Sequence, residues 1–479
     1  MFKTSIIYFL IRAINGVLGL ATVFILTRLL SPEQYGVYAL ALATIGLFAS
    51  VLYQWIAVTI ARFYAIHKED PSILIVEGNK LFFKVSSYAL VTAGVYFYFA
   101  NVDGIQLGIN AAIVIGVIAT GLHNLGLQVA NASGRPINYG LLTVTRATFT
   151  LCAAVSLVQL GYGSIGAVFG VAVGGAASVA IFRIRHAKRD RAGNKELRKQ
   201  MIVYGLPLTL TYLSTMILDV SDRFMIGWWL GTPAVAGYAA AYDLTQQVIG
   251  AIMNVLFLAT YPRITAEWET GGVTAARNAM LPLSKAILLA IPLLAGTFIG
   301  GANEISNLAF GKSIAIEAAK VVPWIAFSIA IGCFKSYYLD ISFQLAKTTK
   351  TQLRITAAMA LTNIVLNIVL MPYWGVIGAA ISTAFAFSLG ALLSWWFGRN
   401  LEIYCLKKTD ALKTILVFAI TIAGTYFSPR ISINVVLDLC AMLMFGCLAY
   451  VAGLILTNLV GSREALIRRA VFIFVRVCQ

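Results

Sequence analysis

Apolar stretches of about 20 residues recur along the whole of the 479-residue chain, each bounded by a short polar segment. Twenty apolar residues in a helix cross the hydrocarbon core of a bilayer. In lipid only helices or closed barrels satisfy every backbone polar group. The pattern therefore predicts helices over 5–30, 34–58, 82–100, 107–130, 139–160, 165–182, 202–230, 235–261, 281–300, 321–343, 356–370, 376–397, 414–427 and 435–459. The expected fold class is an all-α polytopic membrane protein of about fourteen transmembrane helices. The N-terminal stretch is read as a retained first helix, because it is longer than the apolar part of a signal peptide and contains Arg12.

Composition agrees: 60% of residues are hydrophobic and only 11% charged, against roughly 25% charged in soluble domains. The formal charge of +17 raises nucleic acid as a partner. The basic residues, however, are scattered over short loops and form no domain to lay on a duplex, so no nucleic-acid role is expected. Six cysteines without CxxC spacing and three histidines without ligand spacing point to no metal, cofactor or disulfide framework.

Loop charge orders the helices. One set of alternate loops holds Lys3; Arg62, Lys68 and Lys80; Arg135; the dense run Arg183 to Lys199; Arg263 and Arg277; Lys347, Lys350 and Arg354; and Arg399, Lys407, Lys408 and Lys413. The other set holds only Arg28, Lys312, Lys320 and Arg430. By the positive-inside rule the first set, and both termini, are cytoplasmic. The run "RIRHAKRDRAGNKELRKQ" divides the chain. The expected organisation is an N-lobe over 1–185, a basic loop over 186–200, a C-lobe over 201–400, two further helices over 401–460 and a basic tail over 461–479. The tail mixes Arg with Leu, Phe and Val, as an amphipathic helix on an anionic leaflet would.

The halves share an internal repeat. "LLSPEQYGVYALALA" aligns with "WLGTPAVAGYAAAYDL", so that Pro32 meets Pro233 and Gly36 meets Gly237. "GYGSIGAVFG" aligns with "YWGVIGAAIS", so that Gly163 meets Gly375 and Gly166 meets Gly378. Proline opens a helix and glycine permits close backbone approach. Repeated bundles of this kind commonly enclose a site that opens to alternate faces.

The stretches "YGLPLTLTYLSTMILDVSDRFMIGWWLGTPAVAGYAAAYDL" and "TRLLSPEQYGVYALALA" resemble the seventh to eighth and first to second helices of polysaccharide-repeat (O-antigen) flippases. These belong to the multidrug/oligosaccharidyl-lipid/polysaccharide exporter superfamily. The resemblance implies two six-helix lobes in a V shape, with helices one, two, seven and eight near a central cavity. It implies flipping of undecaprenyl-pyrophosphate-linked sugar repeats across the inner membrane of a bacterium, without enzymatic chemistry. Implied partners are the lipid-linked sugar, membrane lipids, and the polymerase and ligase of the same pathway. Many such flippases have twelve helices; the two extra ones here resemble those that form a lipid-tail groove in fourteen-helix peptidoglycan-precursor flippases.

Charged residues at bilayer depth are costly and tend to face a partner or a wet cavity. Arg12, Arg146, Arg223 and Lys335 are candidate ligands for a pyrophosphate, since a guanidinium fork suits phosphate oxygens. Tyr212, Tyr242, Gln246, Gln247 and Asn254 are candidates for sugar hydroxyls. Asp219, Asp222 and Asp243 are candidates for coupling to H⁺ or Na⁺. Asp219 and Arg223 share a helix face, so a self-neutralising pair is the competing reading. For the other candidates the competing reading is packing between helices. Lys84, Lys285 and Arg28 lie near helix ends and are read as snorkelling. Two other functions stand against flipping. A multidrug antiporter would confer resistance to cationic dyes, and a membrane-embedded ligase or polymerase would need longer outer loops with more acids than Glu304 and Glu317.

Overall fold

The computed structural model describes residues 2–64, 66–67, 71–99, 104–186, 194–430 and 435–461. The centre of the basic loop (187–193) and the tail with its expected amphipathic helix (462–479) lie outside the described residues. Every described element is helical. Ten helices among the described residues are long and apolar enough to cross a membrane. The sequence pattern predicts fourteen spans; several of the ten run continuously through two predicted spans, as at 136–181, 232–300 and 350–401.

The first compact unit is Met1–Ala239. It comprises α1 (Phe2–Leu29), α2 (Pro32–Ala49), a π-helical turn (Ser50–Gln54), α3 (Trp55–Tyr64), α4 (Ser72–Phe99), α5 (Gly104–Ala132) and α6 (Pro136–Leu157). A second π turn (Val158–Tyr162) leads to α7 (Gly163–His186), α8 (Lys195–Gly205), α9 (Leu208–Leu230) and the start of α10 (Thr232–Thr245). Helix starts follow local chemistry. Ser31 accepts from the Gln34 amide at 3.2 Å while the Gln34 side chain returns to Ser31 N, a capping box just before Pro32. Asn194 caps α8 through the amides of Glu196 and Leu197. The amphipathic α8 buries Leu197 and Met201, and its Arg198 reaches the fully buried Glu77 of α4 at 3.4 Å.

The second unit is Ala240–Gln479. It holds a π turn (Gln246–Gly250), α11 (Ala251–Gly300), α12 (Ala302–Ala309), α13 (Lys312–Phe334), a π turn (Lys335–Leu339), α14 (Ile341–Leu345), α15 (Thr349–Gly398), α16 (Lys408–Tyr426) and α17 (Val435–Thr457). The units divide inside α10, whereas the sequence divides at the basic loop; packing groups α8 and α9 with the helices before them. The two C-terminal helices pack on α11 through small side chains: Thr421 and Thr425 of α16 fill the space beside Gly296 and Gly300.

The repeat has a geometric counterpart. Gly163 has φ 50°, ψ −133°, and Gly375 has φ 54°, ψ −134°. Only glycine adopts this conformation at low cost. Beyond each, the chain folds back on itself. Gly166 abuts Leu157, and Gly378 abuts the Leu370 backbone, too closely in both places for a Cβ. Matching contacts continue along the arms, at Ala154 with Gly170 in one and Asn363 with Thr383 in the other. Thus α6–α7 and the two arms of α15 are the same antiparallel hairpin built from one sequence motif.

Candidate functional site

Three clusters of charged groups along the long helices differ in their chemistry. In the first unit, α7 approaches α5 and α6 closely: a Cβ on Gly174 would meet the Arg146 carbonyl at 2.6 Å, and one on Gly175 would meet Ala119 at 2.9 Å. This brings together Thr120 and His123 of α5, Arg146 of α6 and Ser178 of α7. The half-buried Arg146 donates from Nη2 to Thr120 Oγ1 at 3.2 Å. No carboxylate pairs with it among the described residues, so its charge is not neutralised locally.

The charges of α9 are arranged otherwise. Asp222 and Arg223 are 3% and 8% exposed. Tyr238, itself buried on α10, donates its hydroxyl to Asp222 Oδ2. Asp219 is half-buried one turn before Arg223 and within reach of its charge. An acid one turn from the cation on the same helix fits the self-neutralising reading as well as the ligand one. The start of α10 also meets α2, where a Cβ on Gly36 would overlap the Thr232 carbonyl oxygen.

In the second unit Lys335 and Asp340 are 4% and 2% exposed and bond at 2.6 Å. Asp340 also accepts from Ser394 at 2.8 Å and Gln352 at 3.4 Å. The Tyr404 hydroxyl lies 3.0–3.2 Å from the Leu339 and Ser394 carbonyls and the Ser342 hydroxyl. Burial pushes that phenol up to about 12, so it remains a donor. The Lys335 ammonium is thus satisfied by its own helix segment. A half-exposed group lies nearby in sequence: Asn254 donates to Tyr337 Oη at 2.9 Å, and Phe257 stacks on Tyr337 (5.1 Å, 30°) and Tyr261 (4.7 Å). Aromatic faces beside an amide are a surface that sugar rings can use.

The remaining candidates are spread out. Arg12 lies on an exposed face of α1 and Tyr212 half-buried on α9. Tyr242 and Asp243 are half-buried on α10, and Gln246 and Gln247 sit in the π turn that follows. Arg28 bonds back to the Phe24 carbonyl of its own helix at 2.7 Å. Among the described residues no group of His, Cys, Asp or Glu is placed to hold a metal. Sequence reasoning did not find His123, Ser178 or Thr120, nor the buried trio Asn363, Asn367 and Thr383, linked by hydrogen bonds of 3.3 Å. All are ordinary residues in apolar helices; only their meeting in space marks them.

Long apolar helices, repeated glycine hairpins and a deep cation with no carboxylate partner among the described residues characterise a multi-span membrane protein. The chain belongs to the family of polysaccharide biosynthesis proteins, whose pattern matches residues 1–268. It is 21% identical over 417 residues to a putative O-antigen transporter of Shigella flexneri, covering 82% of this chain and 96% of that one. It is 27% identical over 188 residues to the probable flippase AglR of Haloferax volcanii, 39% of each chain. An uncharacterized membrane protein of Methanocaldococcus jannaschii is 23% identical over 272 residues. The chain spans 53% of the length of that archaeal membrane protein. Among solved structures, the inward closed lipid II flippase MurJ superposes with a TM-score of 0.76 at 14% identity, covering 97% of this chain and all of that one. An inward-facing multidrug resistance MATE family transporter, itself of the MOP superfamily, gives 0.66 at 16% identity, covering 84% of this chain and all of that one. These likenesses show the shared fold.

Proposed function

We propose that this chain flips a lipid-linked oligosaccharide, carried on undecaprenyl pyrophosphate, from the inner to the outer leaflet of the cytoplasmic membrane for surface polysaccharide assembly. Arg146 carries the reading: a guanidinium deep in an apolar bundle, held by one hydroxyl and without a carboxylate among the described residues, is arranged to receive an anion. The headgroup passes along a cation-lined path that opens alternately to each face, while the prenyl tail stays in lipid. The chain moves its substrate without changing it, alongside the polymerase and ligase that act on the product.

We take the arms of each broken helix, with Leu208–Leu230, as separate spans, which gives fourteen helices in two six-helix lobes and a C-terminal pair. Both termini are then cytoplasmic. Exposed aromatics support this topology. Tyr98 and Phe99, Tyr162, Trp228 and Trp229, Tyr373 and Trp374, and Tyr426 and Phe427 all sit at the loops poor in Lys and Arg. They form the belt expected at one membrane interface.

The test is complementation of a strain lacking this chain. Wild type restores export, and Arg146→Ala leaves lipid-linked repeats on the inner leaflet with normal protein level. Full export by Arg146→Ala rejects the assignment.

A further inference from the structure

His123 is 2% exposed in α5. Its Nδ1 lies 2.8 Å from Ser178 Oγ, and the Ser178 hydroxyl donates to the Gly175 carbonyl at 2.8 Å. A hydroxyl has one proton to give. Nδ1 therefore carries a hydrogen and donates it to Ser178, which leaves the lone pair on Nε2. Thr120 lies three residues earlier on the same face of α5, and it receives Arg146. An imidazole with a basic Nε2 thus sits about one helical turn along α5 from the threonine that holds a guanidinium with no carboxylate partner among the described residues.

Resting on the reading of Arg146 as the headgroup cation, we propose that His123 is a proton site linked to anion binding. A proton from water adds to Nε2 when an anion occupies Arg146, and it leaves from the same atom to water when the anion departs. Two cations this close repel in a medium of low dielectric, and an anion held by one of them offsets that repulsion. Histidine is the side chain whose ordinary charge change falls between pH 5 and 8. The proton compensates part of the pyrophosphate charge while it lies among apolar helices, where charge is most costly.

Of the elements packed on α5, α6 brings Arg146 to the imidazole and α7 brings Ser178, with no charged residue before Arg183. The first π turn brings Tyr53, which lies against Gly121 and bonds Ser86 of α4 at 3.0 Å. Elsewhere on their length α2 carries Glu33, α3 Arg62, and α4 Lys84 with Glu77 and Lys80, the last two ion-paired to each other.

The test is titration calorimetry of farnesyl pyrophosphate into the full chain in lipid nanodiscs. Two buffers of different ionisation heat, used from about pH 6 to about pH 8, read the protons taken up on binding. His123→Asn keeps a donor where Nδ1 stands but cannot take the second proton. We expect wild type to take up more protons than this variant, by up to about one per site. Equal uptake in the two, with binding retained, overturns the inference and leaves the headgroup reading standing. Absent binding to wild type, or undiminished binding to Arg146→Ala, overturns that reading and this inference with it. If His123→Asn does not fold, ring-¹³C histidine in a His67→Gln, His186→Gln background reads the same event. Farnesyl pyrophosphate then converts the His123 signal to the charged form, and an unmoved signal overturns the inference.

Discussion

Two cations set within long apolar helices, the buried Lys335 and the half-buried Arg146, have opposite surroundings. Lys335 bonds Asp340 at 2.6 Å, and Asp340 is further held by Ser394 and Gln352. Arg146 is held by one threonine hydroxyl and lies near a histidine, with no acid paired to it among the described residues. The first cluster is complete in itself; removing a member exposes an uncompensated charge to apolar surroundings. The second is incomplete, and an arriving anion would complete it. Depth in the membrane alone therefore does not mark a binding residue. What distinguishes the two is whether the protein already supplies the counter-charge.

The comparison breaks most sharply at Asp340. Asp340→Ala strands the Lys335 ammonium and should cost about 3–5 kcal/mol, seen as loss of folded protein by thermal unfolding in detergent. Pairing Lys335→Met with Asp340→Asn removes the stranded charge and should recover much of that stability. If Asp340→Ala unfolds at the wild-type temperature, the pair is not the structural element described above.

Arg146→Ala should leave the unfolding temperature near wild type but lower export by roughly tenfold or more, as expected for a charge-assisted hydrogen bond worth about 1.5–3 kcal/mol. Arg146→Lys should recover only part of it, because an ammonium lacks the planar fork. Tyr238→Phe removes the hydroxyl that Asp222 accepts and should destabilise by about 1.5–3 kcal/mol, measured by the same unfolding. The smallest effect belongs to Tyr337→Phe. It keeps the ring stack, loses the bond from Asn254 and should cost about 0.5–1.5 kcal/mol. A larger loss of export than of stability there would favour a sugar contact.

The apolar runs located the helices because membrane-spanning segments must be continuously apolar, and the described part of each predicted span is mostly helical, although 202–230 crosses the turn between α8 and α9. Their ends were less legible: α4 begins at Ser72 rather than near 82, because a helix continues through polar residues once it leaves the lipid. The short α8 and α12 fall below the length that a 20-residue pattern detects. The repeat was legible at Gly163 and Gly375, since their backbone conformation demands glycine. Arg146 stood out as a charge in an apolar run, but its neighbours did not. Thr120 is 26 positions away, and His123 meets Ser178 across 55. The Lys335–Asp340 bond was hidden for a local reason. Residues five apart point to different sides of an α-helix, and it is the π turn, closed by Asp340 N to Lys335 O at 2.8 Å, that brings them together.

The most direct measurement is the distribution of lipid-linked repeats between leaflets in spheroplasts of the deletion strain carrying either wild type or Arg146→Ala at equal membrane abundance. The account predicts that wild type moves the repeats to the outer leaflet and that Arg146→Ala holds them on the inner one. Repeats reaching the outer leaflet equally with both proteins would contradict it.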